Sequence, residues 1–331
     1  MIWQFILAGV LAFLVALYGT PVARAAALRF GVVDQPDGRL KDHSNAVPYF
    51  GGLAIYLAVL IPLCLFYQFE RSVLAILLAG TLVLILGLID DFGVLTPAAK
   101  FIGQFIAAVV LIKGDILIRV EFFHPYVNLF LTLLWIIGMT NAMNIIDIMD
   151  GLAAGIALIA CSFLFVVSMM NRYDMIGMFA ITLFGSLAGF LPYNFRPARI
   201  YMGDAGSMFL GLMLGTLAIL VDYSATNELA FLNPLLFFGV AIFDTMYVML
   251  LRAINGRSMF LGSKDHFAIR LKRAGWSTRK IVLCAYVAGL CLGIAAICNM
   301  YLPTGSSIIL YCTISAIFIV LGWRLAKIKV A

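Results

Sequence analysis

The sequence predicts an all-α polytopic membrane protein, and three observations carry that prediction. Hydrophobic residues fill 64% of the 331 positions and charged residues only 11%, far less charge than a soluble chain of this size needs at its surface. Apolar runs of roughly 17–25 residues, the length that crosses a bilayer as a helix, recur along the whole chain. The basic residues, finally, are segregated rather than scattered. If residues 21–49, 91–100, 193–205, 252–280 and 324–331 face one side, that side holds 18 of the 22 Lys and Arg. By the positive-inside rule that side is the cytoplasm.

About eleven spans follow, near residues 2–20, 50–67, 72–90, 99–113, 127–143, 152–170, 175–192, 206–222, 233–251, 281–299 and 306–323. The N-terminus is then outside and the C-terminus cytoplasmic. The first run resembles a signal peptide, with Ala23-Arg-Ala25 as a cleavage site, but it lacks a basic leading region and fits a signal anchor better. Ile116 to Phe122 alternates enough for a short external β-hairpin. Gly185/Gly189 and Gly211/Gly215 are small-residue pairs that let helices pack closely. Nothing divides the chain, so residues 1–331 are expected to form one integral-membrane domain. The net charge of +6 follows topology and implies no nucleic-acid partner. All six cysteines lie in or at the ends of apolar runs without CxxC spacing, so neither a disulfide frame nor a zinc site is implied.

Acids gather on the basic side. The densest stretch is Asn141-Ala-Met-Asn-Ile-Ile-Asp-Ile-Met-Asp-Gly151, where Asn141, Asn144, Asp147 and Asp150 recur every third residue between two apolar runs. Carboxylates at membrane depth are costly and normally face a cavity, an ion or a partner. Three residues turn an α-helix by about 300°, so Asn141 and Asp150 would end on opposite faces. All four can line one site only if the helix tightens or ends here, and Gly151 permits an ending.

Three further groups lie on the same side. Asp90-Asp91 closes the third run; two acids at a helix C-terminus oppose the macrodipole, and neighbours about 100° apart cannot clasp one ion as a pair. Lys100 and Gln104 open the fourth run on one helical face, where the lysine either snorkels to the interface or holds a phosphate. Asp204, within Met202-Gly-Asp-Ala-Gly-Ser207, is a plain N-cap or an acid that small neighbours leave open to a ligand. The loop 252–280 adds Lys264, His266, Arg270 and Arg273, the last three on one face of a short helix, a pattern that suits a diphosphate. Carboxylates and amides with nearby Lys and Arg fit a hard cation such as magnesium completed by substrate phosphates. Phosphoryl or phosphoglycosyl transfer onto a lipid is the reaction class these residues imply.

The set Asp90-Asp91, Asn141-x-x-Asn144-x-x-Asp147-x-x-Asp150-Gly, Met202-Gly-Asp204-x-Gly-Ser207 and Val47-Pro-x-x-Gly51-Gly52 resembles the polyprenyl-phosphate N-acetylhexosamine-1-phosphate transferases, in matching order over essentially the whole chain. The span count is closer to the WecA/TagO-type branch than to the MraY branch. The resemblance implies transfer of a sugar 1-phosphate, most simply GlcNAc-1-phosphate, from a UDP-sugar to polyprenyl (undecaprenyl) phosphate at the cytoplasmic face of the bacterial inner membrane. UMP is released and a cell-envelope polysaccharide is begun. It implies Mg²⁺, with Mn²⁺ as an alternative, and leaves room for a homodimer. By position, Asn144 and Asp204 would bind the metal. Asp90 would face the lipid phosphate with Asp91 beside it, Lys100 would contact the substrate phosphates, and Asp147 and Asp150 would take the UDP-sugar. The family's loop histidines are reduced here to His266, which with Lys264 and Arg270 would hold the diphosphate. That reduction argues against a muramyl-pentapeptide substrate. Two rivals are an ion-coupled transporter, which needs midplane acids and finds only Asp244, and a CDP-alcohol phosphotransferase, whose DG-x-x-AR motif lacks its Arg at Asp150-Gly-Leu-Ala-Ala-Gly155.

Overall fold

The computed structural model describes residues 2–34, 47–223, 227–256 and 265–328. The chain is helical almost throughout. In order come α1 (Ile2–Phe30), β1 (Val33–Asp34), β2 (Val47–Pro48), α2 (Gly51–Phe66), α3 (Arg71–Asp91), α4 (Pro97–Lys113) and α5 (Pro125–Ile146). Then follow α6 (Leu152–Met170), α7 (Asp174–Asn194), α8 (Gly203–Ile219), a 3₁₀ turn (Glu228–Leu232), α9 (Asn233–Phe237), α10 (Gly239–Ile254), α11 (Phe267–Arg273), α12 (Thr278–Asn299) and α13 (Thr304–Ala326). β1 and β2 pair antiparallel, Val33 opposite Pro48 and Asp34 opposite Val47.

Every apolar run of the sequence falls on a helix. Among the described residues, seven helices are long and apolar enough to cross a membrane, or eight if a pair bent by 75° at Phe238 counts as one span. α2 and α8 are apolar but shorter. This is a multi-pass membrane protein. Helix starts follow local chemistry: Thr96 Oγ1 accepts from Ala99 N ahead of Pro97, and Ser277 Oγ accepts from Lys280 N at 3.3 Å. His124, otherwise outside any motif, caps α5 in the same way.

The architecture is built around α8. Its side chains are buried from Ala205 to Ala218, and it packs against α2, α3, α5 and α6. Such a helix is apolar on every side because it has no lipid- or water-facing stripe. The small-residue pairs are where it and α7 meet their neighbours. A Cβ at Gly211 would lie 2.5 Å from the Met139 carbonyl oxygen of α5, and one at Gly185 would lie 2.2 Å from the Gly9 carbonyl oxygen of α1. These contacts are backbone, so they cannot yield as a side chain would.

The external hairpin read from Ile116–Phe122 does not form. Ile116 and Val120 are buried, and the intervening backbone finds side-chain partners on α5 instead of a second strand. Ile118 N donates to Thr132 Oγ1 at 2.8 Å and Val120 N to Asn128 Oδ1 at 3.3 Å. The alternation was real, but a polar helix face satisfied the backbone groups that a strand would have paired.

Gly211→Ala forces α5 and α8 apart and is expected to cost about 1–3 kcal/mol, the usual range for overpacking. A thermal melt in detergent should show a clear fall, whereas Gly19→Ala, with nothing within 4 Å of its Cβ position, should leave the melting temperature unchanged or raised.

Candidate active site

Three helices end at one place. The C-terminus of α3 brings Asp90 and Asp91, the C-terminus of α5 brings Asn144, and the N-terminus of α8 brings Asp204, with Lys100 entering from the second turn of α4. Lys100 Nζ lies 2.6 Å from Asp90 Oδ2, 2.6 Å from Asp204 Oδ2 and 3.2 Å from Asn144 Oδ1. Asn144 completes the cluster by donating from Nδ2 to Asp204 Oδ1 and to Ser207 Oγ, both at 2.9 Å. Each of these side chains is fixed by at least two partners. The three oxygens around the ammonium form a cradle that stabilises positive charge.

Asp91 faces elsewhere. Its Oδ1 accepts from Asp204 N at 2.7 Å and its Oδ2 lies 3.4 Å from Ala205 N, so it caps α8 from a distant point in the chain. The cap needs glycine at 203, whose φ is +70° and whose Cβ would fall 2.5 Å from Asp91 Oδ2. Just before α8, Tyr201 N donates to Pro48 O at 2.9 Å, while Gly51 N and Gly52 N donate to the carbonyls of Tyr201 and Met202. The Val47-Pro-Tyr-Phe-Gly-Gly stretch therefore acts as a backbone splint for the Asp204 loop.

The Asn141–Gly151 stretch does break, but earlier than Gly151. α5 ends at Ile146 and Asp147 is its C-cap, while Gly151, in the left-handed region at φ +79°, is the N-cap of α6. Asn141 stays on the helix and pairs with Gln104: its Nδ2 donates to Gln104 Oε1 at 2.7 Å. Asp150 Oδ2 accepts from Ala198 N at 3.0 Å and lies 3.4 Å from Arg196 Nη1, bracing the loop before α8. Asp147 lies within the field of the other acids. Burial, then Asp204, Asp91 and Asp150, push its carboxyl up to about 8. Burial and like charge both favour the protonated form of this carboxyl.

In the described part of the basic loop, His266 and Arg270 are held by partners outside this cluster. His266 Nδ1 is 2.7 Å from Asp244 Oδ2, whose other oxygen accepts from Phe267 N at 2.9 Å. The Arg270 guanidinium reaches Asp265 at 2.8 Å and the carbonyls of Leu325, Ala326 and Ile328. Asp244 is thus the buried acceptor that caps α11. Lys264 and His43 lie outside the described residues.

Two residues near the site carry no signal in the sequence. Burial and the nearby Asp91, Asp204 and Asp147 push the Tyr49 hydroxyl up, which marks it as a neighbour of all three acids. Asn194, buried, accepts from Gly151 N at 3.1 Å and donates to Ile200 O at 3.1 Å, tying the two acid-bearing loops together. Their types are common, and only the folded chain gives them these neighbours.

A cavity of about 770 Å³ lies between α5, the C-terminal end of α8 and the bent α9–α10 pair, with none of the cluster residues in its lining. Its lining is mostly apolar, from Met139 and Ala142 near the acid-bearing end to Asp115, Arg119 and Asp222 at the other.

Acids, an amide and a lysine gathered at one end of a helical membrane bundle are the equipment of an enzyme that handles a phosphorylated group at a membrane. The comparisons agree with that class. The family model for glycosyl transferase family 4 matches residues 73–222, and the chain belongs to this family of polyprenyl-phosphate sugar-phosphate transferases. It is 34% identical, over 89% of its length and 84% of the relative's, to the "Probable undecaprenyl-phosphate N-acetylglucosaminyl 1-phosphate transferase" of Bacillus subtilis. It is 33% identical to the decaprenyl-phosphate N-acetylglucosaminephosphotransferase of Mycolicibacterium smegmatis, covering 85% of this chain and 78% of that one. It is 30% identical to the phospho-N-acetylmuramoyl-pentapeptide-transferase of Staphylococcus epidermidis, covering 78% and 86%.

Lys100→Met removes the ammonium that occupies the cradle. The expected result is a larger stabilisation by added divalent cation than the wild type shows, read by thermal shift, with turnover lowered about 100-fold or more.

Proposed function

We propose that this protein transfers GlcNAc-1-phosphate from UDP-GlcNAc to a polyprenyl phosphate, undecaprenyl phosphate in the simplest case, and releases UMP. The observation that carries the reading is the Asp90–Lys100–Asp204–Asn144 cluster, gathered from four helices at one end of a membrane bundle. It is supported by the relatives that act on N-acetylglucosamine phosphates with prenyl acceptors. The cavity suits the isoprenoid tail, since its lining is mostly apolar and reaches Ala142, two residues before Asn144 on α5.

The reaction is a displacement at the sugar-linked phosphorus. An oxygen of the lipid phosphate forms the new P–O bond, the bond to the bridging oxygen breaks, and UMP leaves with the electron pair. A phosphomonoester has its second pKa near 6, so the nucleophile is largely dianionic at neutral pH and needs little help from a base. Asp90 then orients the lipid phosphate rather than deprotonating it. Lys100, released from Asp204, neutralises charge on the diphosphate oxygens, and Asp147 meets the UDP-sugar with Asp150 bracing the adjoining loop. Asp91 keeps the α8 N-terminus in place. Asn144 and Asp204 fit a hard divalent cation, Mg²⁺ or Mn²⁺, because the donor set is oxygen only and already surrounds a positive charge. Such an ion would draw charge from the transferring phosphate. His266 and Arg270 are assigned to the diphosphate side of the basic loop, which they also anchor.

The same reading takes the chain as one transferase domain in the bacterial plasma membrane. α2, α4 and α8 then cross with the longer helices, giving about eleven spans, an outside N-terminus and a cytoplasmic site. Every residue given a role comes from one chain, so the reaction does not require a homodimer.

Purified protein with undecaprenyl phosphate, Mg²⁺ and a panel of UDP-sugars should release UMP, fastest with UDP-GlcNAc. No UMP with any donor would defeat the assignment. Asp204→Asn should lose turnover by about 100-fold or more while melting as a folded protein; retained turnover would move the metal elsewhere.

A further inference from the structure

At the end of the bundle opposite the acids, five polar side chains form one buried network. Asn299 of α12 donates from Nδ2 to Asn233 Oδ1 at 2.9 Å and to the Tyr311 hydroxyl at 3.0 Å, and its Oδ1 accepts from Ser307 Oγ at 2.6 Å. Asn233 donates to Ala296 O at 3.0 Å, and Asn227 donates to Asn299 O at 2.9 Å and to Ser307 Oγ. The Tyr311 hydroxyl lies 3.1 Å from Asn233 Oδ1 and 3.3 Å from Leu229 O, either of which it can donate to. Asn233, Asn299 and Ser307 are 0% exposed.

The location of Asn233 gives the network a purpose. It is the first residue of α9, and its neighbours Leu232, Pro234 and Leu235 all line the cavity. Its amide instead points away into the network. The segment is five residues long and is bent 75° from α10, too short to hold its own direction by helical hydrogen bonds. Side-chain amides from α12 and hydroxyls from α13 hold it. In a bundle where apolar contacts cost nothing to exchange for lipid, interhelical hydrogen bonds of this kind fix direction. A network satisfied at every member tolerates one geometry and resists others.

We propose that Asn233 and Asn299 are positioning residues for the lipid acceptor: they fix the far wall of the cavity and so set how well a long prenyl chain is accommodated. This rests on the assignment of the cavity to the isoprenoid tail. In steady-state assays, Asn299→Ala and Asn233→Ala should raise KM for undecaprenyl phosphate about fivefold or more. KM for UDP-GlcNAc should stay within about twofold, and a short-chain prenyl phosphate should be used almost as by the wild type. A loss of packing alone would not separate the two substrates or the two chain lengths. Tyr311→Phe, which removes one hydroxyl and little volume, should show the same split to a smaller degree, and serves if an alanine variant does not fold. Equal changes for both substrates, or equal changes for long and short acceptors, would overturn the proposal. Met246→Trp, which fills the cavity directly, separates the two levels. If it leaves the acceptor KM unchanged, the cavity assignment fails. If it raises that KM while the network variants do not, only the positioning role fails.

Discussion

The site depends on one cation surrounded by oxygens from three helices. Lys100 meets Asp90 of α3, Asn144 of α5 and Asp204 of α8, and without its charge the two acids would repel across a low-dielectric interface. The same contact records how the protein tolerates gathered acids before any substrate is present. An ammonium on a flexible stem is suited to this, because it can leave the carboxylates and follow a phosphate when a second cation takes its place. Under the proposed function, stability of the site and its chemistry draw on the same side chain.

Much of this was legible in the sequence. Composition and run length gave the helical bundle, since lipid imposes long apolar segments. The step of three between Asn141, Asn144, Asp147 and Asp150 implied that the helix must tighten or end if all four share one site; it ends, at Ile146. The position of the break was less legible, because the sequence offers Gly151 as a stop and the fold uses it as a start, pinned by Asn194 and by the Tyr286 hydroxyl on its carbonyl at 2.6 Å. The hairpin failed for a related reason: alternation records burial, and Asn128 and Thr132 supplied partners that no local pattern reveals.

Long-range pairs were the least visible. Asp244 reads from the sequence as a lone acid in a span, the signature of ion coupling, yet in the fold it holds His266 and the start of α11. Asp90 and Asp91 illustrate the opposite case. Their adjacency forces them apart on the helix, and they face Lys100 and the α8 backbone respectively.

α13 has one consequence for how the protein behaves outside its membrane. Ser307 is its only buried residue among those described, and Arg270 ties its far end through three carbonyls. Leu310, Tyr311, Ile314, Phe318 and Leu325 pack partly against the body, and most of the remaining surface faces outward. Its place in the bundle therefore comes from a few hydrogen bonds and one narrow apolar seam, including Phe318 against Phe243. Detergent that competes for that outer surface loosens α13 first, and with it the Ser307 and Tyr311 end of the asparagine network. The acyl environment chosen for purification therefore bears on the wall of the cavity that the network holds.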